Sequence, residues 1–411
     1  MKSRTVELAY IGSVVPDAPE FHNEAFSRAG NMFQTNLLAG LKANGMEPSV
    51  VLTCRPLPAW PRSRIAVARS SRAVLSCGTP ITLLPILNIT PLKQVLLGFS
   101  VLLRLLYWGW KHRGARARLV YTFNLTVPPA IFTLLAARLI RARAIASVND
   151  INVPGETVPP TWMWRFDYFL HKLLLPRFDG LVVVSSAIID DFAPHVRHVR
   201  VEGGIVPEML APRHPEPKPG PSNLFEVVFA GAMEPVNGVE VMLQAISRIK
   251  GDHYRFVFAG SGTLAGAVHQ AALEDSRIHY KGCLNFSELL PIYAQADVLI
   301  NMRLTTKMRT RYFFPSKLME FMASGTPVIS TCTGHVEPEF GQFLFLLKNE
   351  TPEGLTAAIH QVEALGRNGR LEIGKKTRCY MSQRKTWRAQ AKRVTELLTS
   401  LADMTGGWER R

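Results

Sequence analysis

The stretch FFPSKLMEFMASGTPVIST, residues 313–331, sets a proline, a serine, a lysine and one carboxylate where an apolar run breaks. Pro315 suits the first turn of a helix, and Ser316, Lys317 and Leu318 follow at its amino end. Backbone N–H groups without intrahelical partners lie there, at the positive end of the helix dipole. They can receive a phosphate, and Lys317 can add a charge. Glu320 stands about one turn further in, where a carboxylate can accept two hydrogen bonds from a vicinal diol such as that of a ribose. A first-turn acid that only complements the dipole explains the same residue equally well. Gly325 ends the helix, and TPVIST returns as a strand.

Three further loops place glycine at the end of a strand-like run: Gly231 after EVVFA, Gly260 to Gly262 (GSG) after YRFVFA, and Gly282, followed by Cys283 and Leu284, after RIHYK. Glycine lets a backbone approach a ligand closely. It is also common turn chemistry, and three such loops in register favour the ligand.

These loops need a frame. Strand-like runs at 6–12, 48–53, 118–124, 143–149 and 180–186 alternate with helical patterns, and the alternation resumes at 226–232, 254–260, 277–282, 297–302, 327–331 and 343–347. The 411 residues exceed one ordinary core, and a hydrophobic share of 47% is ample for two. The expected fold class is α/β, as two Rossmann-like, doubly wound domains facing across a cleft. Residues 1–205 form the first domain and 223–383 the second. The segment 206–222, with six prolines, reads as the linker. Residues 384–411 form a last helix that can cross back to the first domain. Ligands in such sheets bind outside the carboxyl ends of the strands, so the loops after the strands carry the chemistry.

The net charge of +16 is unevenly spread: between Glu47 and Asp150 there is no acidic residue, while fourteen Lys or Arg stand there. Such a field attracts an anionic surface, or is simply a solvated basic face. Within it, TPLKQVLLGFSVLLRLLYWGWKHRGARAR (90–118) reads as a helix begun by Thr90 and Pro91, with Lys93, Ser100, Arg104 and Lys111 on one stripe. Arg104 interrupts it too centrally for a spanning helix. A helix lying in the membrane interface fits, with Trp108 and Trp110 near the headgroups; so does a helix buried in the domain. Nucleic acid is not expected, because no zinc-finger spacing, recognition helix or RNP-like motif accompanies the charge. The five cysteines form no CxxC pair, which argues against a zinc site or disulfide framework and for a reducing cytosol. The amino-terminal apolar segment is interrupted by Glu7 and reads as a first strand, not a signal peptide.

The ordered series Gly231, NGVEVMLQAI, GSG, HYKGCLNFSELLPIYAQADVLI and PSKLMEFMASGTPVIST resembles the donor domain of retaining glycosyltransferases of family 4, which have the GT-B fold. In the first half, AGNMFQTNLLAGLKANG, GLVVVSSAIIDDF and VEGGI resemble that family more loosely. Glu320 matches the second acid of its E-x7-E motif, which holds the nucleotide ribose; the first acid falls at Tyr312. A FPSK variant of this kind occurs in polysaccharide-assembly members. The basic pair of the first donor loop falls near Ala232 and Asn237, so both cations are missing. Arg303, Lys307, Arg309, Arg311 and Lys317 stand nearby, of which Arg303 and Lys317 are preferred for the diphosphate.

The resemblance implies an NDP-sugar donor, with its base near Gly282, Cys283 and Leu284, its ribose on Glu320 and its diphosphate on the helix start at 316–318. Ala29-Gly30 matches the loop facing the donor phosphate and sugar. Asn149 and Asp150 stand where the family meets sugar or acceptor; His22 and Asn23 lie in the first loop. The implied catalytic set is Asp150, Asn149, Arg303 and Lys317, with retention of configuration, the leaving phosphate accepting the proton, closure about the linker, and no metal or other cofactor. The basic, apolar first domain fits a membrane-associated glycan acceptor of the polyprenyl-diphosphate-linked class, as in exopolysaccharide, capsule or lipopolysaccharide biosynthesis. The expected location is the cytoplasm, peripherally on the inner face of the cytoplasmic membrane, through the basic region 55–143. A catalytically silent GT-B-like protein that binds nucleotide-sugar or polysaccharide is the alternative, favoured by the missing acid and cations.

Overall fold

The computed structural model describes residues 5–22, 26–90, 92–124, 129–210, 224–308 and 310–404. Two compact units result: Met1–Gly204 with Trp387–Arg411, and Ile205–Thr386.

The first unit holds β1 (Val6–Gly12), α1 (Pro19–His22), α2 (Arg28–Ala43), β2 (Val50–Thr53), β3 (Val67–Ala68), β4 (Ser71–Val74), β5 (Pro80–Leu83), β6 (Ile86–Leu87), α3 (Leu92–Lys111), β7 (Ala117–Phe123), α4 (Pro129–Leu139), β8 (Arg143–Val148), α5 (Trp162–Leu174), β9 (Gly180–Val183), α6 (Ser186–Phe192) and β10 (Arg197–Arg200). Eight strands form one sheet in the order β10-β9-β8-β7-β1-β2-β5-β4, and β3 pairs with β6 separately. All neighbours in the sheet are parallel except β4 and β5. Its central strands are near-continuous apolar runs because both faces are covered. Tyr10 and Tyr121 stack 5.2 Å apart inside that core.

Connection β1–α2–β2 steps one way along the sheet, whereas β7–α4–β8 and β8–α5–β9 step the other. Right-handed crossovers therefore put α2 on one face and α4 and α5 on the opposite one. Helix α3 packs along α4.

The second unit is a single parallel sheet of β11 (Phe225–Ala230), β12 (Tyr254–Ala259), β13 (Ile278–Tyr280), β14 (Val298–Asn301), β15 (Val328–Thr331) and β16 (Phe345–Leu347). The order is β13-β12-β11-β14-β15-β16. Its helices are α7 (Val239–Arg248), α8 (Ala265–Glu274), α9 (Phe286–Gln295), α10 (Lys317–Ser324), α11 (Val336–Phe340), α12 (Pro352–Ala364) and α13 (Gly366–Arg384). Phe256, Met242, Ile246, Val298 and Ile359 belong to the core; each side chain of this size contributes about 1.5–3 kcal/mol when fully buried. The last helix, α14 (Trp387–Asp403), lies in the first unit against α2, with Val394 and Leu398 in its core.

Several expectations need correction. Strands β3 to β6 and β10 were not anticipated: they are two to four residues long, too short to show a period. Pro207–Leu210 form a 3-10 turn where irregular linker was expected, because Met209 is buried and Arg378 donates to the Leu210 carbonyl at 2.6 Å. The rest of the expected linker, 211–222, lies outside the described residues, as do Asn23, Pro91 and Arg309.

The largest correction concerns α3. All but the end of its basic stripe turns inward, as the buried-helix alternative has it: Lys93 is buried and donates to the Leu57 carbonyl, and Arg104 donates to Ser70 Oγ at 2.8 Å, while Lys111 stays exposed. Trp108, expected near headgroups, is buried and donates its ring N–H to Ser49 Oγ at 3.0 Å. Arg55 is likewise buried, donating to the Leu84 and Arg69 carbonyls. A long cation next to unpaired carbonyls gains more by hydrogen bonding them than by decorating the surface.

Candidate functional site

At the carboxyl edge of the second sheet the glycine loops pack on one another. The Gly231 amide donates to the Ala259 carbonyl at 2.9 Å, and the Gly260 amide to the Gly282 carbonyl at 2.7 Å. Gly260 has φ +139°, and a Cβ on it would sit 1.9 Å from the Gly231 carbonyl oxygen. A Cβ on Gly262 would sit 2.6 Å from the Met233 carbonyl oxygen. Packing of the neighbouring loop is thus by itself enough to require glycine at 260 and 262. Gly231 meets only the Phe229 ring, and the side-chain position of Gly282 faces open space. Beside it Cys283 is exposed and Leu284 half-buried.

Helix α10 begins as anticipated, with Pro315 and Ser316 immediately before Lys317. Its amides are only partly available. The Leu318 N–H donates to the Pro315 carbonyl at 2.9 Å, and the Leu318 side chain is fully buried. The Leu318 side chain is therefore core, and Pro315 is buried too. Ser316 is exposed and makes no side-chain cap bond, which leaves its amide and that of Lys317 at the helix start. Gly325 closes the helix at φ +72°, where a Cβ would meet Arg378 Cδ at 2.3 Å.

Glu320 is the anomaly of the site. Its side chain is 17% exposed and its Oε2 lies 3.9 Å from Lys317 Nζ. That oxygen is buried and has no hydrogen-bond partner among the described residues. Burial pushes the carboxyl above its ordinary range, with the Lys317 charge opposing in part. The hydroxyl of Tyr293, on α9, is also buried without a partner. Burial, and then the charge of Glu320, raise its pKa well above the ordinary value. Buried polar atoms in folded proteins are nearly all bonded, so these two orphans, one of them within reach of the other's charge, mark a place to explain. The Tyr293 ring packs edge-on against Phe321 at 5.0 Å.

Of the five basic candidates, Arg303 and Lys317 stand out. Arg303 follows β14 directly; its amide donates to Thr331 Oγ1 at 3.0 Å and its guanidinium lies 4.3 Å over the Phe313 ring. Among the described residues no carboxylate pairs with it, and burial lowers its pKa from the ordinary value. A half-buried guanidinium without a counter-ion is a ready anion ligand. Lys307 instead pairs with Glu240 at 3.5 Å. Where the first donor loop lacks cations, Asn237 turns inward and donates to the Ala232 carbonyl at 2.6 Å. Tyr312 is buried.

Glu234 went unnoticed in the sequence. It accepts from the Thr263 hydroxyl at 2.6 Å and the Thr263 amide at 3.1 Å, which hold it below its ordinary range. Tyr293 went unnoticed as well, since an aromatic in an apolar helix carries no signal of its own.

Gly30, Asn149 and Asp150 belong to the first unit. Gly30 is in the first turn of α2, and its amide is taken by Ser27 Oγ at 3.0 Å; it is not a free donor. Asn149, after β8, donates its amide to Asn124 Oδ1 at 3.1 Å while its own Oδ1 is buried without a partner. Asp150 is exposed, yet crowding by the surrounding chain raises its carboxyl above the ordinary range. Both sit at the carboxyl edge, near where the strand order reverses between β1 and β7.

The fold defines the class. Similar chains include sucrose-phosphate synthase from Thermosynechococcus elongatus (17% identity over 97% of this chain and 100% of that one, TM-score 0.66). Anabaena HepE in complex with UDP is also similar (14% identity, 96% and 100% covered, TM-score 0.66). So is WaaG, a glycosyltransferase involved in lipopolysaccharide biosynthesis (13% identity, 97% and 100% covered, TM-score 0.57). The architecture is that of the GT-B glycosyltransferases, two Rossmann-like units. Residues 225–364 match the family "Glycosyl transferases group 1", so the second unit carries a glycosyltransferase domain. No curated protein sequence matches the chain.

Proposed function

We propose that this protein is a hexosyltransferase that moves a sugar from an NDP-sugar to a membrane-associated glycan of the polyprenyl-diphosphate-linked class, with retention of configuration, in surface-polysaccharide assembly. The observation that carries the donor half is Glu320: a carboxylate with one buried, unbonded oxygen beside a helix start, inside a glycosyltransferase domain. A ribose diol supplies the missing donors. Arg303, Lys317 and the amides of Ser316 and Lys317 take the diphosphate, whose developing charge is the largest demand of the reaction. The base lies over Gly282, Cys283 and Leu284. Asn149 and Asp150 serve sugar or acceptor, the leaving phosphate takes the acceptor's proton, and no metal takes part. HepE has been captured with UDP-glucose, which supports a nucleotide-sugar donor.

The basic region 55–143 supports a place on the inner face of the cytoplasmic membrane. A silent binding protein is the second reading, favoured by buried Tyr312 in place of an acid and by inward-turned Asn237. Thermal shift against UDP-, GDP- and ADP-sugars, followed by NDP release with lipid-linked acceptors in EDTA, separates the two. Stabilisation by one donor and acceptor-dependent release are expected. Donor binding with no release under any acceptor leaves the silent reading, and no donor binding ends both.

A further inference from the structure

Three helices on one face of the first sheet expose apolar side chains outward. On α3 these are Leu96, Phe99, Leu103, Tyr107 and Trp110, with Leu92 and Val95 at its start; Leu103 and Tyr107 are both 65% exposed. No charged side chain is exposed on α3 before Lys111. On α4 the exposed row is Ile131, Leu135 and Leu139, and on α5 it is Trp162, Phe166, Phe169 and Leu173, with Met163 beside it. Each row keeps helical spacing, so each is a ridge pointing away from the sheet. Helices α3 and α4 are pressed together: Cβ atoms on Gly98 and Gly109 would fall 2.2 Å from Phe132 and 2.6 Å from Ile140. Crossover handedness places α5 on the same face. The outer sides of α3 and α4 thus form one apolar surface, and α5 adds a separate ridge on the same face; large exposed apolar patches are rare on soluble monomers.

The charges around it have one sign. Lys111, Arg113, Arg138 and Arg141 are exposed at the ends of α3 and α4, and Arg165 and Lys172 flank the row on α5. Arg113 sits 5.6 Å over the Trp110 ring. Helices α3 and α4 contain no acid; on α5 the one acid, Asp167, is half-buried beside His171 at 3.4 Å. Helix α3 is long and apolar enough to cross a membrane by length and composition. Its inner side, with Leu97, Val101, Leu105 and Trp108, is nevertheless buried in the unit, so lipid cannot surround it.

We infer that the outer faces of α3, α4 and α5 bed together into the headgroup–acyl boundary of an anionic bilayer, with the cations as a rim. The surface supplies apolar ridges, interfacial aromatics and one sign of charge, which is what such a boundary accepts. The inference deepens the membrane part of the proposed function and is independent of glycosyl transfer. Within the basic stretch 55–143 it narrows the contact to the uncharged outer faces of α3 and α4, and it adds α5, which lies beyond that stretch.

The test is co-sedimentation of the full chain with vesicles of phosphatidylcholine mixed with phosphatidylglycerol. Leu103→Glu and the pair Phe166→Glu with Phe169→Glu should each lower partitioning by about tenfold or more, since each carries charge into apolar surroundings. High salt should weaken binding by less than these substitutions do, because the apolar term is not screened. The donor thermal shift, read on the same samples, should be unchanged and reports folding. Quenching of wild-type fluorescence by brominated lipid, reduced in Trp110→Phe and Trp162→Phe, checks insertion without a disruptive change. Unaltered partitioning in both Glu variants overturns the inference. So does a wild-type dimer that these substitutions dissociate while vesicles are ignored, which would make a second copy the occupant. Loss of donor binding alone would sink the donor reading and leave this one standing.

Discussion

Helices α3 and α10 each bury a charged side chain, and they differ in what meets it. Lys93 on α3 is buried, but its ammonium reaches the Leu57 carbonyl. Glu320 on α10 has a buried oxygen that no donor reaches. Burial perturbs both groups in the direction expected for lost hydration, lowering the lysine and raising the acid. A buried charge with its hydrogen bond made is part of the scaffold. One with the bond unmade calls for an explanation, and for Glu320 the one proposed is a donor supplied by the bound nucleotide-sugar. The same contrast divides the arginines: Arg55 serves carbonyls, while Arg303 meets the Phe313 ring and the Met308 sulfur and, among the described residues, no carboxylate.

The contrast is easiest to break at Glu320. Glu320→Ala should lower kcat/KM for the NDP-sugar by about 10²-fold, the worth of hydrogen bonds to a charged acceptor, with the fold retained by circular dichroism. Near-normal turnover would remove the carboxylate from the donor site. Lys93→Met should do the opposite, costing about 1–3 kcal/mol of unfolding free energy because the Leu57 carbonyl loses its donor, with donor affinity unchanged. A lowered donor affinity there would erase the distinction between the helices.

The smallest effect is in pH. Glu320 holds its proton more tightly folded than unfolded, so the associated stability is full below the ordinary carboxylate range and is lost as pH rises through the raised value. Wild type should therefore melt progressively lower than Glu320→Gln on going from acid to neutral pH. A difference in Tm that does not vary with pH would mean the carboxylate is not buried in the folded chain.

Much of this was legible beforehand, for a definite reason. Strands β1, β7, β11 and β12 are long apolar runs ended by turn chemistry, and helix α10 is bracketed by Pro315 and Gly325, so local pattern suffices. Strand β10, RHVR, is an edge strand rich in charge and shows no such pattern. That a neighbouring loop packs against the glycines at 260 and 262 could not be read from chain spacing. Glu320 was found through its place in a motif, whereas Tyr293 emerges only when α9 is laid beside α10.

The amino-acid order alone determined the alternation of strands and helices, the one-signed charge from 48 to 149, and the carboxylate one turn into a proline-started helix. These depend on neighbours within a few residues. Tertiary structure decided which way α3 faces, which cations are consumed by carbonyls, and which buried polar atoms lack partners. Those depend on which surfaces meet, because a side chain's hydration and hydrogen bonds are set by groups distant in sequence.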